Sequence, residues 1–263
     1  MVSTYWHVHD FLNFYFLIPF VNQTIYCYPI SFNFHYALDL HILGNEKFIA
    51  KLDKFFDESW YNHGNEPDHH TLYLYAYVPG HAWRVQDRLP EIVRTQYGPT
   101  ERSMSGNDDA GQMSAWLVLS SMGLYQVCPG CGGRSEYVLG LPLFASMEVS
   151  LPSSDSQICS AGMSDGDQAC SFQKEKKTLL IETIRLNNLS TERYIQLVTW
   201  NGCTYDCAFL PHAMVAEGGH LIVYLGENPN KVWGGEGRKC MDGYFYPGDT
   251  AKGYSHVGKT ATC

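Results

Sequence analysis

Two short polar segments of this 263-residue chain carry side chains suited to acid–base or metal chemistry. The first, residues 63–70, has the sequence HGNEPDHH and precedes a strongly apolar run. Its Asn65 and Glu66 offer hard oxygen ligands for a cation, and Gly64 allows another backbone to approach closely. The alternative interpretation is an ordinary helix N-terminus, in which Asn65 is a cap and the acids match the helix dipole. So dense a group of acids, amide and imidazoles next to Trp60 favours a site.

The second segment, residues 106–116, has the sequence GNDDAGQMSAW. A carboxylate at the start of a helix is kept ionised by the helix dipole and by backbone N–H groups, which lower its pKa. Such a group is suited to act as a general base or a metal ligand and is a poor general acid. Asp109 and Asp108 are therefore the candidates to activate a water molecule. Helix capping alone explains one Asp, whereas two in succession behind Asn107 exceed that need.

The two segments share a pattern, because Gly-Asn followed by an acid occurs at Gly64 and again 42 residues later at Gly106. This separation fits one outgoing and one returning helix with their loops, as in the stacked helix pairs of an α/α toroid. Both segments would then lie at the same end of the ring. The sequence thus predicts that two acid-bearing loops meet.

Helices are predicted around these loops from apolar periodicity and from start and stop signals. The helix over residues 45–60 is amphipathic. A buried helix over 69–77 starts near Pro67, and a helix over 83–97 contains Pro90 as a kink or break. A strongly apolar helix over 110–122 ends at Gly123.

Short strands replace helices after residue 136. Alternating or apolar runs predict strands over residues 137–139, 147–151, 178–186, 194–200 and 220–225. Asn201 and Gly202 mark a turn, although not necessarily a two-residue hairpin. The stretch 153–169, rich in Ser, Asp and Gly, is predicted to be a loop. The chain divides into an unassigned segment 1–36, a helical part 37–127, a β-rich part 128–235 and a tail 236–263.

Composition excludes several classes of protein. A 45% apolar and 17% charged content is atypical of a disordered chain. A net charge of −9 without a basic stripe argues against nucleic-acid binding. The apolar run 11–21 is too short to span a membrane, and no basic residues precede it as in a signal peptide. The 14% aromatic content suits either a packed core or rings that line a sugar site.

The nine cysteines and the sequons at Asn22 and Asn188 favour an oxidising, secretory setting with disulfide bonds. Three pairs lie close in sequence: Cys128 with Cys131, Cys159 with Cys170, and Cys203 with Cys207. The alternative for the first pair is half of a zinc site, but no second ligand pair stands at a suitable spacing.

The ordered strings HGNEPDHH, GNDDAGQMSAW, SSMGLYQVCPG and SEYVLGLPLF resemble the signature run of glycoside hydrolase family 92. The later strings RYIQLVTWNG and NPNKVWGG resemble that family's C-terminal strands, so the resemblance covers roughly residues 40–235. It implies an α+β fold in which part of an (α/α)₆ toroid is followed by a C-terminal antiparallel β-rich region. It also implies a calcium-dependent enzyme that removes terminal α-linked mannose from N-glycans and mannans with inversion.

The resemblance assigns roles residue by residue. Asn65 and Glu66 become calcium contacts, and Asp109 becomes the preferred base with Asn107 and Asp108 beside it. Apart from the resemblance, Glu66 is also a catalytic candidate as a substitute acid, although its position at the start of a helix argues against its staying protonated. Sugar-binding candidates are His69, His70, Asn107 and Trp60. We expect a monomer whose partners are mannose-containing glycans.

Two features depart from the family. The Glu-Gly-Asn-Ala-Trp-like motif that carries the general acid is not found, and residues 1–36 occupy its place. The N-terminal β-sandwich is also missing, so the chain is expected to be a C-terminal part of such an enzyme. The alternatives are a catalytically inactive mannose-binding remnant and a structural β-rich secreted protein whose acids only cap helices.

Overall fold

The fold is described from a computed structural model of the chain. It describes residues 43–100, 103–127, 135–151, 177–236 and, for the backbone alone, 155–159, 170–174 and 261–262. The predictions for segment 1–36 and for the Cys128–Cys131 pair fall outside these ranges.

The predicted helices form, with shifted bounds. They are α1 (Asn45–Asp57), a 3₁₀ helix (Glu66–Tyr77), α2 (Trp83–Gln96), α3 (Gln112–Ser121) and a short α4 (His212–Glu217) that was not predicted. Helix α1 buries the stripe of Phe48, Ile49 and Leu52. The helix after Pro67 is buried as predicted, but it is wound as a 3₁₀ helix. Pro90 lies inside α2 without ending it.

The strands are β1 (Leu124–Tyr125), β2 (Glu136–Leu139), β3 (Ser146–Leu151), β4 (Asp155–Cys159), β5 (Cys170–Lys174), β6 (Lys177–Arg185), β7 (Tyr194–Trp200), β8 (Cys203–Tyr205), β9 (Phe209–Pro211), β10 (Gly219–Gly226) and β11 (Ala261–Thr262). They form sheets of order β1-β2-β9, β11-β8-β7-β10-β6-β3 and β4-β5. The predicted loop over 153–169 is therefore wrong at 155–159, which pair with β5 and set Cys159 opposite Cys170 in register.

The six-stranded sheet is mixed, which corrects the expectation of a purely antiparallel region. Strand β10 inserts between β6 and β7, which are neighbours in sequence. It runs antiparallel to β7 and parallel to β6. On β6 the side chains of Leu179 and Ile181 alternate into the core, as the sequence pattern predicts.

The turn at Asn201 and Gly202 is a two-residue hairpin. Trp200 pairs directly with Cys203, and the two turn residues have φ values of 50° and 83°. Positive φ at both positions is the signature of the type I′ turn, whose twist matches that of the flanking strands.

One apolar core joins the helices to the sheets. It includes Trp116 of α3, Tyr73 of the 3₁₀ helix, Leu139 of β2 and Val198 of β7, all buried. Polar contacts cross the same boundary, because the backbone N–H of Ile195 donates to Gln86 Oε1 at 2.9 Å. This shared core fixes the N-terminal ends of the 3₁₀ helix and α3, where the acid-bearing loops lie.

None of the helices in the described ranges combines the length and apolar character needed to cross a lipid bilayer.

Candidate active site

Two glycines set the two acid-bearing loops against each other. A Cβ atom placed on Gly106 would lie 2.8 Å from the carbonyl oxygen of Gly64 and 2.9 Å from its Cα. Gly106 also has a φ of 73°, a left-handed conformation that side chains disfavour. The repeated Gly-Asn-acid pattern therefore reflects a direct contact between the two loops, in which Gly106 must be glycine and Gly64 leaves little space for a side chain.

The carboxyl groups of Glu66 and Asp109 meet at this junction. They lie within hydrogen-bonding reach of each other. Burial raises the pKa of Glu66, a backbone hydrogen bond opposes this rise, and the hydrogen bond to Asp109 and its charge raise the pKa further. Glu66 Oε1 is buried and has no hydrogen-bond partner in the part of the chain that the structure describes. Two acid groups this close need either a shared proton or a cation between them.

Local hydrogen bonds at a helix start account for Asp108, and also for Asp68, which accepts from the Asn62 N–H at 2.8 Å, but not for Glu66 or Asp109. Asp108 Oδ1 accepts hydrogen bonds from the backbone N–H and the hydroxyl of Ser114, each at 2.9 Å, and so anchors the first turn of α3. Asn65 occupies the N-cap position of the 3₁₀ helix, but its side chain makes no capping hydrogen bond. The capping interpretation thus holds for Asp108, which is occupied structurally, and it leaves the Asn65 amide available as a ligand.

Asp109 is held in a strained conformation. It has a φ of 42°, and Ala110 and Gly111 follow with 58° and 89°, so three successive residues are left-handed. This run delays the start of α3 to Gln112, two residues after the predicted start. A left-handed conformation costs about 1–2 kcal/mol at most residues other than glycine, although Asp tolerates it better than Ala, and such strain is concentrated at functional sites. Asp109 and the neighbouring Asn107 are both exposed.

A buried hydrogen-bonded chain supports the first loop from below. His63 Nδ1 lies 2.6 Å from the Tyr61 hydroxyl, and His63 Nε2 lies 2.7 Å from the Tyr97 hydroxyl. Because Tyr97 donates its proton to the Met113 carbonyl at 2.9 Å, it accepts from His63 Nε2–H. His63 is then a neutral imidazole that accepts from Tyr61. The chain ties the first loop to α3, on which Trp116 packs edge-on against the His63 ring at 4.4 Å.

A second chain involves the two following histidines. His69 Nε2–H donates to the His63 carbonyl at 2.9 Å, and Gln112 Nε2 donates to His69 Nδ1 at 3.2 Å. The Tyr125 hydroxyl accepts from the same Gln112 nitrogen at 3.4 Å and lies 3.0 Å from His70 Nδ1.

The structure locates three of the predicted sugar-binding residues and corrects the prediction for His69. His69 is fully buried and uses both ring nitrogens inside the protein, so it does not face a ligand. His70 is half-buried beside Tyr125. The Trp60 ring is 37% exposed, with the Lys54 ammonium 5.1 Å from its centroid.

Sequence reasoning missed Tyr97 and Tyr125 entirely, and it treated Gln112 only as part of the acidic segment. All three act through hydrogen bonds between residues that are distant in sequence. No periodicity or local motif signals such contacts.

Burial sets the charge state around the loops. Desolvation lowers the pKa of His63 to about 3 and of His70 to about 4, and in each case the neighbouring His69 adds to the effect. Burial raises the pKa of Asp68 to about 6, opposed by a hydrogen bond from the Asn62 N–H.

The donor set fits a hard cation only in part. Glu66, Asp109 and Asn65 offer oxygen atoms of the kind Ca²⁺ prefers, and the buried Glu66 Oε1 is an unmet acceptor. No group of three or more His, Cys, Asp or Glu residues able to hold a metal occurs in the described ranges. Since Ca²⁺ takes six to eight oxygen ligands, these residues account for part of a coordination shell.

Comparisons with known proteins agree on one family. A model of the glycosyl hydrolase family 92 catalytic domain matches residues 35–227. A protein of the fungus Arthroderma benhamiae, described as an uncharacterized secreted glycosidase, is 26% identical over 191 residues, which are 73% of this chain and 21% of that protein.

Solved structures of two bacterial enzymes resemble the fold. A family GH92 α-mannosidase from Bacteroides thetaiotaomicron is 30% identical with a TM-score of 0.56, over 72% of this chain and 22% of that one. A family GH92 inverting mannosidase of the same species is 28% identical with a TM-score of 0.52, over 82% of this chain and 24% of that one. This chain therefore spans about a fifth to a quarter of the length of these relatives.

The glycine contact predicts a selective effect of Gly106→Ala. The new Cβ clashes with the Gly64 backbone and strains the left-handed residue, so we expect the free energy of unfolding to fall by about 2–4 kcal/mol. Gly111→Ala is the matched control, because Gly111 is also left-handed but nothing lies within 4 Å of a Cβ there. Urea denaturation should show a loss of only about 1 kcal/mol for the control. Equal losses in the two variants would contradict the contact.

The buried histidines predict acid sensitivity. Unfolding returns His70 from a pKa of about 4 to about 6.5, so the unfolded chain binds the additional proton between these values. The stabilising contribution of neutral His70 is complete above pH 6.5 and is lost as the pH falls toward 4. Asp68 acts in the opposite sense, since its raised pKa adds stability at low pH that is lost as the pH rises through 6.

His70→Asn isolates the histidine, because an Asn oxygen preserves an acceptor for Tyr125. Between pH 7 and pH 4.5 we expect this variant to lose about 2 kcal/mol less free energy of unfolding than the parent. Parallel pH profiles of the two proteins in urea denaturation would show that His70 is solvated in the folded state.

Proposed function

Because the chain belongs to glycosyl hydrolase family 92, we propose that it carries part of a site that removes terminal α-linked mannose from N-glycans and mannans by inverting hydrolysis. The observation that carries the proposal is the meeting of Glu66 and Asp109 where two helix-opening loops touch. The relatives named above as mannosidases support the choice of sugar. In this proposal α1, the 3₁₀ helix, α2 and α3 belong to an (α/α)₆ toroid, with both loops at one end.

The contact between the two acids decides how the roles divide. Inverting hydrolysis keeps its acid and base carboxyl groups about 6.5–9.5 Å apart, to leave room for a water molecule. Glu66 and Asp109 are within hydrogen-bonding reach, so they are too close to form that pair. Glu66 therefore does not serve as the substitute acid in this proposal, and its unmet buried oxygen favours a role as a calcium ligand with Asn65.

Asp109 is the proposed base. Its carboxylate is exposed at the loop junction, whereas that of Asp108 is taken up by Ser114. Asp109 would accept a proton from the attacking water as the C–O bond to the leaving group breaks on the opposite face of the sugar. The leaving oxygen requires a proton from an acid other than Glu66. Calcium, when bound, supplies a charge that holds sugar hydroxyls against the loops.

A second candidate is mannose binding without turnover. The contact between Glu66 and Asp109 favours this candidate. If Glu66 is too close to Asp109 to be the general acid, no described residue of the site is assigned that role. Calorimetric binding of mannose with no release of mannose from any α-mannoside would establish it.

We also propose a secretory setting. Support comes from the relative described as secreted and from Cys203 and Cys207, whose sulfur atoms are each in a disulfide bond. Disulfides persist in oxidising compartments and are rare in the cytosol.

Asp109→Asn tests the base. On an aryl α-mannoside, whose leaving group departs with little help from an acid, we expect the rate of mannose release to fall about 10²–10⁴-fold. Asp108→Asn removes the same charge one residue away and keeps an acceptor for Ser114, so its rate should stay within about threefold of the parent. If the two variants are equally active, or the effects are reversed, Asp109 is not the base.

Glu66→Gln tests the cation site. Titration calorimetry should detect Ca²⁺ binding to the parent and at least about tenfold weaker binding to the variant, since a carboxylate ligand is replaced by a neutral one. Asp108→Asn again serves as the control, with unchanged affinity. Mannose release that persists in excess chelator would remove calcium from the account.

A further inference from the structure

The connection between β6 and β7 carries the second sequon, Asn188-Leu189-Ser190, which the proposed active site does not use. All three residues are exposed. An Asn-x-Ser sequence with x other than Pro is an acceptor for N-glycosylation when it lies on the surface of a secreted protein. We propose that Asn188 is N-glycosylated.

The backbone presents Asn188 between two tight turns. The N–H of Asn188 donates to the carbonyl of Arg185 at 3.3 Å, and the N–H of Glu192 donates to the carbonyl of Leu189 at 3.2 Å. Asn188 itself has a φ of 59°. Asn tolerates this left-handed conformation better than most residues, which is an ordinary structural reason for its type at this position. That reason does not account for Ser190, the residue that completes the sequon.

A buried carboxylate fixes the residues on either side of the acceptor. Glu192 is only 1% exposed and accepts hydrogen bonds from the backbone N–H of Asn187 at 2.9 Å, from Asn187 Nδ2 at 3.0 Å and from the N–H of Leu189 at 3.1 Å. The Asn187 amide is therefore committed to the fold. The Asn188 side chain makes no hydrogen bond within the described part of the chain, so a sugar on its nitrogen breaks no contact seen there.

Exposed leucines surround the acceptor in sequence. Leu186 is 53% exposed and Leu189 is 42% exposed, and Ile184 at the end of β6 is 41% exposed. Singly scattered exposed apolar residues are common, whereas three within six positions of the chain are more than such scatter usually places together in sequence. An N-acetylglucosamine ring has apolar faces that can pack on such side chains, while its hydroxyl groups face water. A glycan at Asn188 would start within four positions of each of these exposed side chains.

The modification is a group transfer from a lipid-diphosphate-linked oligosaccharide. A bond forms between Asn188 Nδ2 and C1 of the first N-acetylglucosamine, and the bond between that C1 and the diphosphate oxygen breaks. The lipid diphosphate leaves with the bonding electrons, and the amide proton passes to a base of the transferase. The proposal depends on the secretory setting proposed above and is independent of the hydrolase chemistry.

The test expresses the full chain in the secretory pathway of yeast, with Asn22→Gln introduced so that Asn188 provides the sole sequon. Intact-mass measurement should show one added N-glycan on the secreted protein. Peptide-N-glycosidase F should remove it and leave Asp at position 188 in the peptide map. Ser190→Ala, which retains Asn188, should abolish the addition, and Ser190→Thr should preserve it.

The fold is checked separately. Asn188→Gly removes the acceptor while keeping a residue that favours the left-handed conformation, so it should be secreted and folded but unmodified. Secreted, folded Asn22→Gln protein with an unmodified Asn188 overturns the proposal. A glycan that survives Ser190→Ala overturns it as well, because the modification would then not depend on the sequon.

Discussion

The contact between Gly64 and Gly106 is the constraint on which the site depends. Two loops, each at the start of a helix, approach so closely that Gly106 has no room for a side chain against the Gly64 backbone, and a side chain on Gly64 would be tightly packed. This approach brings the Glu66 and Asp109 carboxyl groups within hydrogen-bonding reach. Repulsion between two acids opposes it, so the protein must hold the loops together by other means. A cation bound between the acids would turn that repulsion into attraction.

A buried layer of neutral histidines, tyrosines and one tryptophan beneath the loops holds them together. His63, through Tyr97, and His69, through Gln112, connect the first loop to α3 by buried hydrogen bonds. Such a network fixes a unique geometry when all its members are satisfied. The cost of this precision is sensitivity to acid, because the buried imidazoles are stable only while uncharged. Neighbouring residues thus have different tasks. Asp108 stabilises the start of α3 through Ser114, whereas the exposed Asp109 is left for the proposed chemistry.

The sequence predicted the order of helices and strands well, because apolar periodicity and turn residues are local signals. Tyr194–Trp200 forms a strand with the predicted bounds, and Asn201 with Gly202 forms the predicted turn. The predictions from sequence failed where contacts between distant parts of the chain determine the structure. These are the 3₁₀ winding of Glu66–Tyr77, the parallel pairing of β10 with β6, and the strand Asp155–Cys159. In the site, the repeated Gly-Asn-acid pattern correctly indicated that the loops meet. It was not possible to tell from the pattern that His69 is internal or that Asp108 anchors a helix, since both depend on partners defined only by the fold.

The central claim is that Glu66 and Asp109 face one cation and one sugar. A crystal structure of the full chain grown with Ca²⁺ and mannose tests it most directly, with the ion identified by its anomalous scattering. The account predicts a calcium ion about 2.3–2.6 Å from a Glu66 carboxylate oxygen, with mannose hydroxyls in the same shell and Asp109 beside the sugar's anomeric carbon. Calcium and mannose bound elsewhere, with the two carboxyl groups left facing only each other, would contradict it.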